Sequence, residues 1–256
     1  MSDSSVRSPG KAWLRRYRPV SSPRLRLVCL PYAGGSAAAY REWAALLPHD
    51  VELLAVQYPG RQDRLAEPCV DDLQRMADLV TGALQGEFGC DVAVFGHSMG
   101  AAIAFEVALR LEILHGVQVA HVFVSANAAP NRRPTRQLHR APDDELVAEM
   151  NRLGAADMWL LADEDIRQLV LPAFRSDLRL IETYRHRPGA LLSAPMTVYA
   201  GAADADVEVD EVAAWREFAA GPSELRVFPG GHFFLHEDTE DLVRDVVARL
   251  RPSGAV

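Results

Sequence analysis

The chain has 256 residues, 49% of them hydrophobic and 24% charged, which suffices for one sizeable core near the upper limit of a single domain. Its formal net charge is −8, and no basic stripe interleaved with aromatics offsets it, so nucleic acid is not an expected partner. No apolar run is long enough to span a bilayer, and the widely spaced Cys29, Cys69 and Cys90 lack a Cys-x-x-Cys pair, which points to a reducing, cytoplasmic setting without structural zinc.

Residues 1–23 are rich in Ser, Arg and Pro with almost no apolar periodicity and read as a flexible tail ahead of one domain at 24–256. Arg15-Arg16 is followed by polar residues where an export signal needs an apolar segment. Leu25 to Leu30 reads as a strand running into Pro31-Tyr32-Ala33-Gly34-Gly35-Ser36. The glycines there let backbone amides approach a ligand, and a phosphate loop would need a Gly-Lys-Ser/Thr ending that is absent. The loop therefore suits an oxyanion hole after an early strand, with a plain strand-to-helix turn as the alternative.

Ala37 to Leu47 is expected as a helix, Val51 to Gln57 as a strand, and Val70 to Phe88 as a helix. Asp91 to Phe95 is a strand, Gly96-His97-Ser98-Met99-Gly100 a turn, and Ala101 onwards a helix. In that setting Gly-x-Ser-x-Gly is a nucleophile elbow: the serine sits on a strained turn that small neighbours permit. Val119 to Ser125 is the next strand. The repeated alternation of strand and helix predicts an α/β fold, a mainly parallel sheet with helices on both faces.

From about 130 to 193 the alternation stops. Asp143–Leu153 and Asp163–Arg185 read as helices with acidic first turns, and Pro172 should kink or divide the second. Its Ile166, Leu169, Val170, Phe174, Leu178 and Ile181 need a surface, either a lid over a site or a helical ornament on the sheet. Alternation resumes with strands at 196–200 and 224–228 and helices at 209–218 and 239–250.

A serine hydroxyl needs a base, and the base an orienting carboxylate. Behind an elbow of this kind the order is Ser, acid, His, on turns after later strands. His232, in Gly230-Gly231-His232-Phe233, follows the last strand and is the candidate base; Asp204 follows the strand ending at Ala200 and is the candidate acid, with Asp206 and Asp210 as fallbacks. The preceding strand ends in Asn127, so the other usual place for the acid is empty. His232 and His236 are four apart, but no His-Glu-x-x-His pattern makes them a metal pair, and no metal is expected.

Five segments in this order resemble the stand-alone type II thioesterases of polyketide synthase and non-ribosomal peptide synthetase pathways: Leu30 to Ser36, Gln57-Tyr58-Pro59-Gly60-Arg61-Gln62-Asp63-Arg64, Gly96 to Gly100, Gly201 to Asp204 and Gly230 to Leu235. The resemblance implies an α/β-hydrolase with an inserted helical lid. It implies Ser98, Asp204 and His232 as the triad, the amides of Met99 and Ala33 as oxyanion donors, and Tyr32 and Phe233 beside the substrate. It also implies hydrolysis of acyl groups from the phosphopantetheine of an acyl or peptidyl carrier protein, or from acyl-CoA, with no cofactor of the enzyme's own. Arg61 and Arg64 read as loop anchors, and Arg132, Arg133, Arg136 and Arg140 as a solvated loop or a docking patch for an acidic carrier. A general carboxylesterase or lipase, and a silent acyl- or carrier-binding protein of the same fold, are the alternatives.

Overall fold

The computed structural model describes residues 12–154 and 161–250. Its seven strands are β1 (Leu14–Arg15), β2 (Leu25–Leu30), β3 (Val51–Val56), β4 (Asp91–His97), β5 (Val119–Ser125), β6 (Met196–Gly201) and β7 (Ser223–Phe228). Its helices are α1 (Trp43–Leu46), α2 (Leu73–Ala83), α3 (Met99–His115), α4 (Asp143–Leu153), α5 (Glu164–Thr183), α6 (Val209–Ala213), α7 (Phe234–Glu237) and α8 (Thr239–Arg249). The strands lie in the order β1-β3-β2-β4-β5-β6-β7, all pairings parallel except β1 with β3.

The sheet has a core on each face. In β2, Leu25, Leu27 and Cys29 join one core while Val28 and Leu30 join the other, the two-residue period of a strand. α2 and α3 cover one face; Tyr40, Trp43 and α8 cover the other. Met99 to Leu109 of α3 are all buried, as befits a helix enclosed on every side. The one carboxylate among them, Glu106, is hydrogen-bonded by Tyr184, Gln74 and Arg110.

β3 lies on one side of β2 and β4 on the other, so the winding reverses between β2 and β4. Ligand crevices of open parallel sheets form beyond the carboxyl ends of such a pair. Gly100 brings the two ends into contact: a Cβ there would stand 2.1 Å from the Leu30 carbonyl oxygen. The loop after β2 and the turn after β4 are thereby neighbours.

Two expectations are corrected and a third is narrowed. Residues 12–23, expected as tail, are packed: Trp13 and Leu14 are buried, the Gln57 amide donates to the Trp13 carbonyl at 2.7 Å, and the Arg64 guanidinium lies 4.2 Å from the Trp13 ring centre. The cause is β3, buried along its whole length, whose outer edge a short antiparallel strand covers. Residues 1–11 lie outside the described residues. The helix expected over Ala37–Leu47 is a 3-10 turn at Ala37–Tyr40 followed by the single turn of α1. Of the two effects expected of Pro172, a kink or a division, the division does not occur: α5 runs from Glu164 to Thr183. Pro172 and Gln168, whose carbonyl loses its partner, both lie on the exposed face, where water can satisfy that group, while Leu171, Ala173 and Phe174 are buried.

α4 and α5 form the insertion. They share a small core of Leu146, Leu171 and Phe174, to which Ala33 of the loop after β2 contributes. α5 is also tied to that loop by charge. Asp177, fully buried, receives Arg61 Nη1 and Nη2 at 2.6 and 2.8 Å and the Gly34 amide at 2.8 Å. Arg61 Nη1 donates in addition to the Gly35 carbonyl at 3.1 Å. Arg61 is thus an anchor, as expected, and what it holds is the junction between insertion and loop.

Asp177→Ala leaves the Arg61 guanidinium buried without its counter-charge, and denaturant unfolding should show a loss of about 3–5 kcal/mol. A double variant, Arg61→Met with Asp177→Leu, should regain most of it, because the desolvated charge is then removed as well.

Candidate active site

Gly96 and Gly100 make the turn after β4 possible. A Cβ on Gly96 would come within 2.0 Å of the Gly100 carbonyl oxygen. The tight turn holds Ser98 at φ 52°, ψ −123°, a backbone state that non-glycine residues rarely occupy and that costs on the order of 1–3 kcal/mol. Its hydroxyl faces a chamber of about 1020 Å³.

Two later turns complete the constellation. His232, after β7, lies with Nε2 3.0 Å from Ser98 Oγ and Nδ1 2.9 Å from Asp204 Oδ2. The carboxylate can only accept, so Nδ1 carries the proton and Nε2 is left to accept from the serine hydroxyl. Asp204, after β6, is oriented from behind: its Oδ1 accepts from the Asp206 amide at 2.8 Å. The fallback Asp206 does not reach His232; it binds Arg136 at 2.6 Å and Arg152 at 2.8 Å, and these guanidiniums hold its carboxyl below the usual aspartate range despite burial. Asp210, in α6, has no part in the constellation.

Met99 opens α3, and amides of a first helical turn have no carbonyl one turn back to bond with. Ala33 lines the chamber opposite, with Tyr32 and Phe233, whose rings meet edge to face at 4.9 Å. The Tyr32 hydroxyl lies 3.0 Å from His236 Nε2, which makes His236 part of this aromatic cluster; among the described residues no group of three or more His, Cys, Asp or Glu side chains is placed to hold a metal ion.

His97, next to the nucleophile in sequence, points away from it and into a position that sequence reasoning missed. Its Nε2 lies 2.9 Å from the His232 carbonyl and its Nδ1 2.9 Å from Ser125 Oγ. A carbonyl only accepts, so Nε2 carries the proton and Nδ1 accepts from Ser125. Burial, reinforced by His232 nearby, holds the His97 imidazole well below the usual histidine range, so it stays neutral beneath the base. Asn127 was likewise read only as a missing acid. Its Nδ2 donates to the Ser98 carbonyl at 2.8 Å and its own carbonyl accepts from Trp215 Nε1 at 2.8 Å. A Ser-Ala-Asn sequence at a strand end carries no signal for such a role.

α5 turns Ile166, Val170, Phe174, Leu178 and Ile181 toward the chamber, while Leu169 is exposed. Its apolar face thus covers the Ser98 site. The arginines of residues 132–140 do not form a free basic patch. Arg132 pairs with Glu217, Arg136 with Asp206, Arg140 bonds Gln137, and Arg133 turns inward to the Ile181 carbonyl and Asn127 Oδ1. No helix among the described residues is long and apolar enough to cross a membrane.

The family described as thioesterase domain matches residues 25–250. Thioesterase PikA5 of Streptomyces venezuelae is 42% identical over 251 residues, covering 98% of this chain and 89% of that protein. Among solved structures, the type II thioesterase BorB from the borrelidin biosynthetic cluster superposes with a TM-score of 0.87 at 42% identity, covering 94% of this chain and 98% of that one. RedJ, a thioesterase from the prodiginine biosynthetic pathway in Streptomyces coelicolor, gives 0.83 at 36% identity over 91% of this chain and 96% of its own.

Proposed function

The chain belongs to the thioesterase family, with the α/β-hydrolase fold of its relatives, and from that premise we propose that it clears acyl groups from carrier-bound phosphopantetheine in a polyketide or non-ribosomal peptide pathway. The observation that carries this reading is His232, placed between Ser98 Oγ and Asp204 beneath an apolar helix. The biosynthetic clusters and pathways of BorB and RedJ support the choice of substrate.

His232 Nε2 takes the proton of Ser98 as Oγ attacks the thioester carbonyl. The amides of Met99 and Ala33 receive the oxyanion, each worth roughly a hundred- to a thousand-fold in rate. The tetrahedral intermediate collapses as His232 returns the proton to the departing thiol, leaving an acyl-serine. Water, deprotonated by the same imidazole, then releases the carboxylic acid and restores Ser98. Asp204 keeps the proton of His232 on Nδ1 and stabilises the imidazolium. His97 supports the base from its backbone side. The reaction so written consumes only thioester and water, and the free thiols Cys29, Cys69 and Cys90 fit a cytoplasmic setting.

Mass spectrometry of carrier proteins loaded with acyl-phosphopantetheine, before and after exposure to the protein, tests the reading. The expected result is return of the carrier to its free-thiol mass with release of the acid. Carriers that keep their acyl groups while nitrophenyl esters are turned over would make it an oxygen-ester hydrolase instead.

A further inference from the structure

Gly34, in the loop after β2, has the left-handed backbone that favours glycine, at φ 76°, and the covering helix meets it there. A Cβ on Gly34 would stand 3.2 Å from Phe174 Cδ2 of α5, and one turn further along that helix Asp177 takes the Gly34 amide. Arg61 completes the grip, since the Nη1 that binds Asp177 also donates to the Gly35 carbonyl. One buried ion pair thus holds a donor and an acceptor of successive loop residues.

The grip accounts for the amides of the loop. Gly34 gives its N–H to Asp177, and Gly35 gives its own to the Tyr32 carbonyl at 2.9 Å. The Ala33 amide, one residue before the grip, has no hydrogen-bond partner among the described residues, and Ala33 borders the chamber. That amide is left for an oxyanion. Its direction depends on the conformation of the loop, which the contacts at Gly34 and Gly35 fix.

Adhesion alone does not account for an ion pair at this place. Apolar residues of similar size would join helix to loop at least as firmly, because a buried pair recovers little beyond its desolvation cost. What they would lack is the contact with the Gly34 amide and the Gly35 carbonyl. Neither Arg61 nor Asp177 borders the chamber, so the pair acts on a substrate only through the loop.

We propose that Asp177, with Arg61, is a positioning residue for the oxyanion hole: it fixes the loop that presents the Ala33 amide, so that the helix covering Ser98 also completes the hole. This rests on the thioesterase reading above. An amide turned away from the oxyanion gives up transition-state stabilisation and leaves ground-state binding as it was.

The test uses the double variant Arg61→Met with Asp177→Leu, whose stability should approach that of the parent, beside Asp177→Asn. The measurements are kcat and kcat/KM for octanoyl-pantetheine, Ki for an octylthio trifluoromethyl ketone, and Kd for S-octyl-pantetheine, a thioether without a carbonyl. Ser98 Oγ adds to the ketone carbon, its proton passes to His232 Nε2, and the ketone oxygen becomes an oxyanion in the hole. The double variant should lose ~100-fold in kcat and kcat/KM alike, the scale of one oxyanion donor, and bind the ketone more weakly by a similar factor, with the thioether Kd unchanged. Asp177→Asn, which keeps an acceptor for Gly34 without the charge that holds Arg61, should fall between. A double variant that folds and turns over at the parent rate makes the pair a structural brace and overturns the proposal. So does a fall in kcat, in either variant, that spares the ketone. Should the double variant not fold, the asparagine variant decides by the same comparison. Failure of the thioesterase reading looks different: the parent protein itself would release no thiol from octanoyl-pantetheine.

Discussion

Ser98→Ala should lower kcat for an acyl-pantetheine thioester by on the order of a million-fold, the loss seen when a member of a triad that works as a unit is removed. The reason lies in the geometry of the turn. Ser98 is held in a backbone state that an alanine can occupy at the same cost, and its hydroxyl is the atom His232 Nε2 reaches at 3.0 Å. The variant should therefore fold and unfold like the parent, lose labelling by a fluorophosphonate, and still bind substrate. Loading by acyl-pantetheine should leave no acyl-enzyme adduct in its mass spectrum, where the parent shows one. Turnover near the parent rate would remove Ser98 from the mechanism.

Asp204→Asn is the second large effect, with an expected fall of ~10⁴-fold in kcat. An asparagine can present its amide group to His232 and so favours the tautomer with the proton on Nε2, the nitrogen that has to accept from Ser98. The contrast with Asp206→Asn is what makes the experiment specific. Asp206 binds Arg136 and Arg152 and offers Asp204 only its backbone amide, which the substitution keeps. Asp206→Asn should accordingly cost less than about tenfold. A large loss from Asp206→Asn with none from Asp204→Asn would exchange the two roles.

The triad was legible because each member follows a strand in a short, glycine-marked turn, and the strands themselves announce their period. Choosing Asp204 over Asp206 needed only its position just past β6. What could not be read is the packing behind those turns. Arg61 and Asp177 are 116 residues apart, and no local pattern marks an aspartate in the middle of an amphipathic helix as the buried partner of a loop arginine. His97 and Asn127 escaped for the same reason: each reaches the site through a backbone carbonyl, that of His232 and that of Ser98, and a backbone carbonyl has no residue type. Whether Pro172 divides its helix could not be read, because its effect depends on which face of the helix it occupies, and that is set by what the helix lies on. Arg133 was read with its neighbours as a run of surface charge, and only the fold separates the one that turns inward.

The packed segment before β2 bears on where the folding unit begins. The family match starts at residue 25, and a chain trimmed to that point would retain every residue of the Ser98 site. It would also bare the outer edge of β3, strip the cover from the Arg64 side chain, and take Arg16 from the group around the buried Glu52. An unprotected edge on a buried, largely apolar strand is a template for pairing with another copy. Such a fragment would carry an intact catalytic constellation and be lost to self-association, so a soluble minimal enzyme has to start before Trp13.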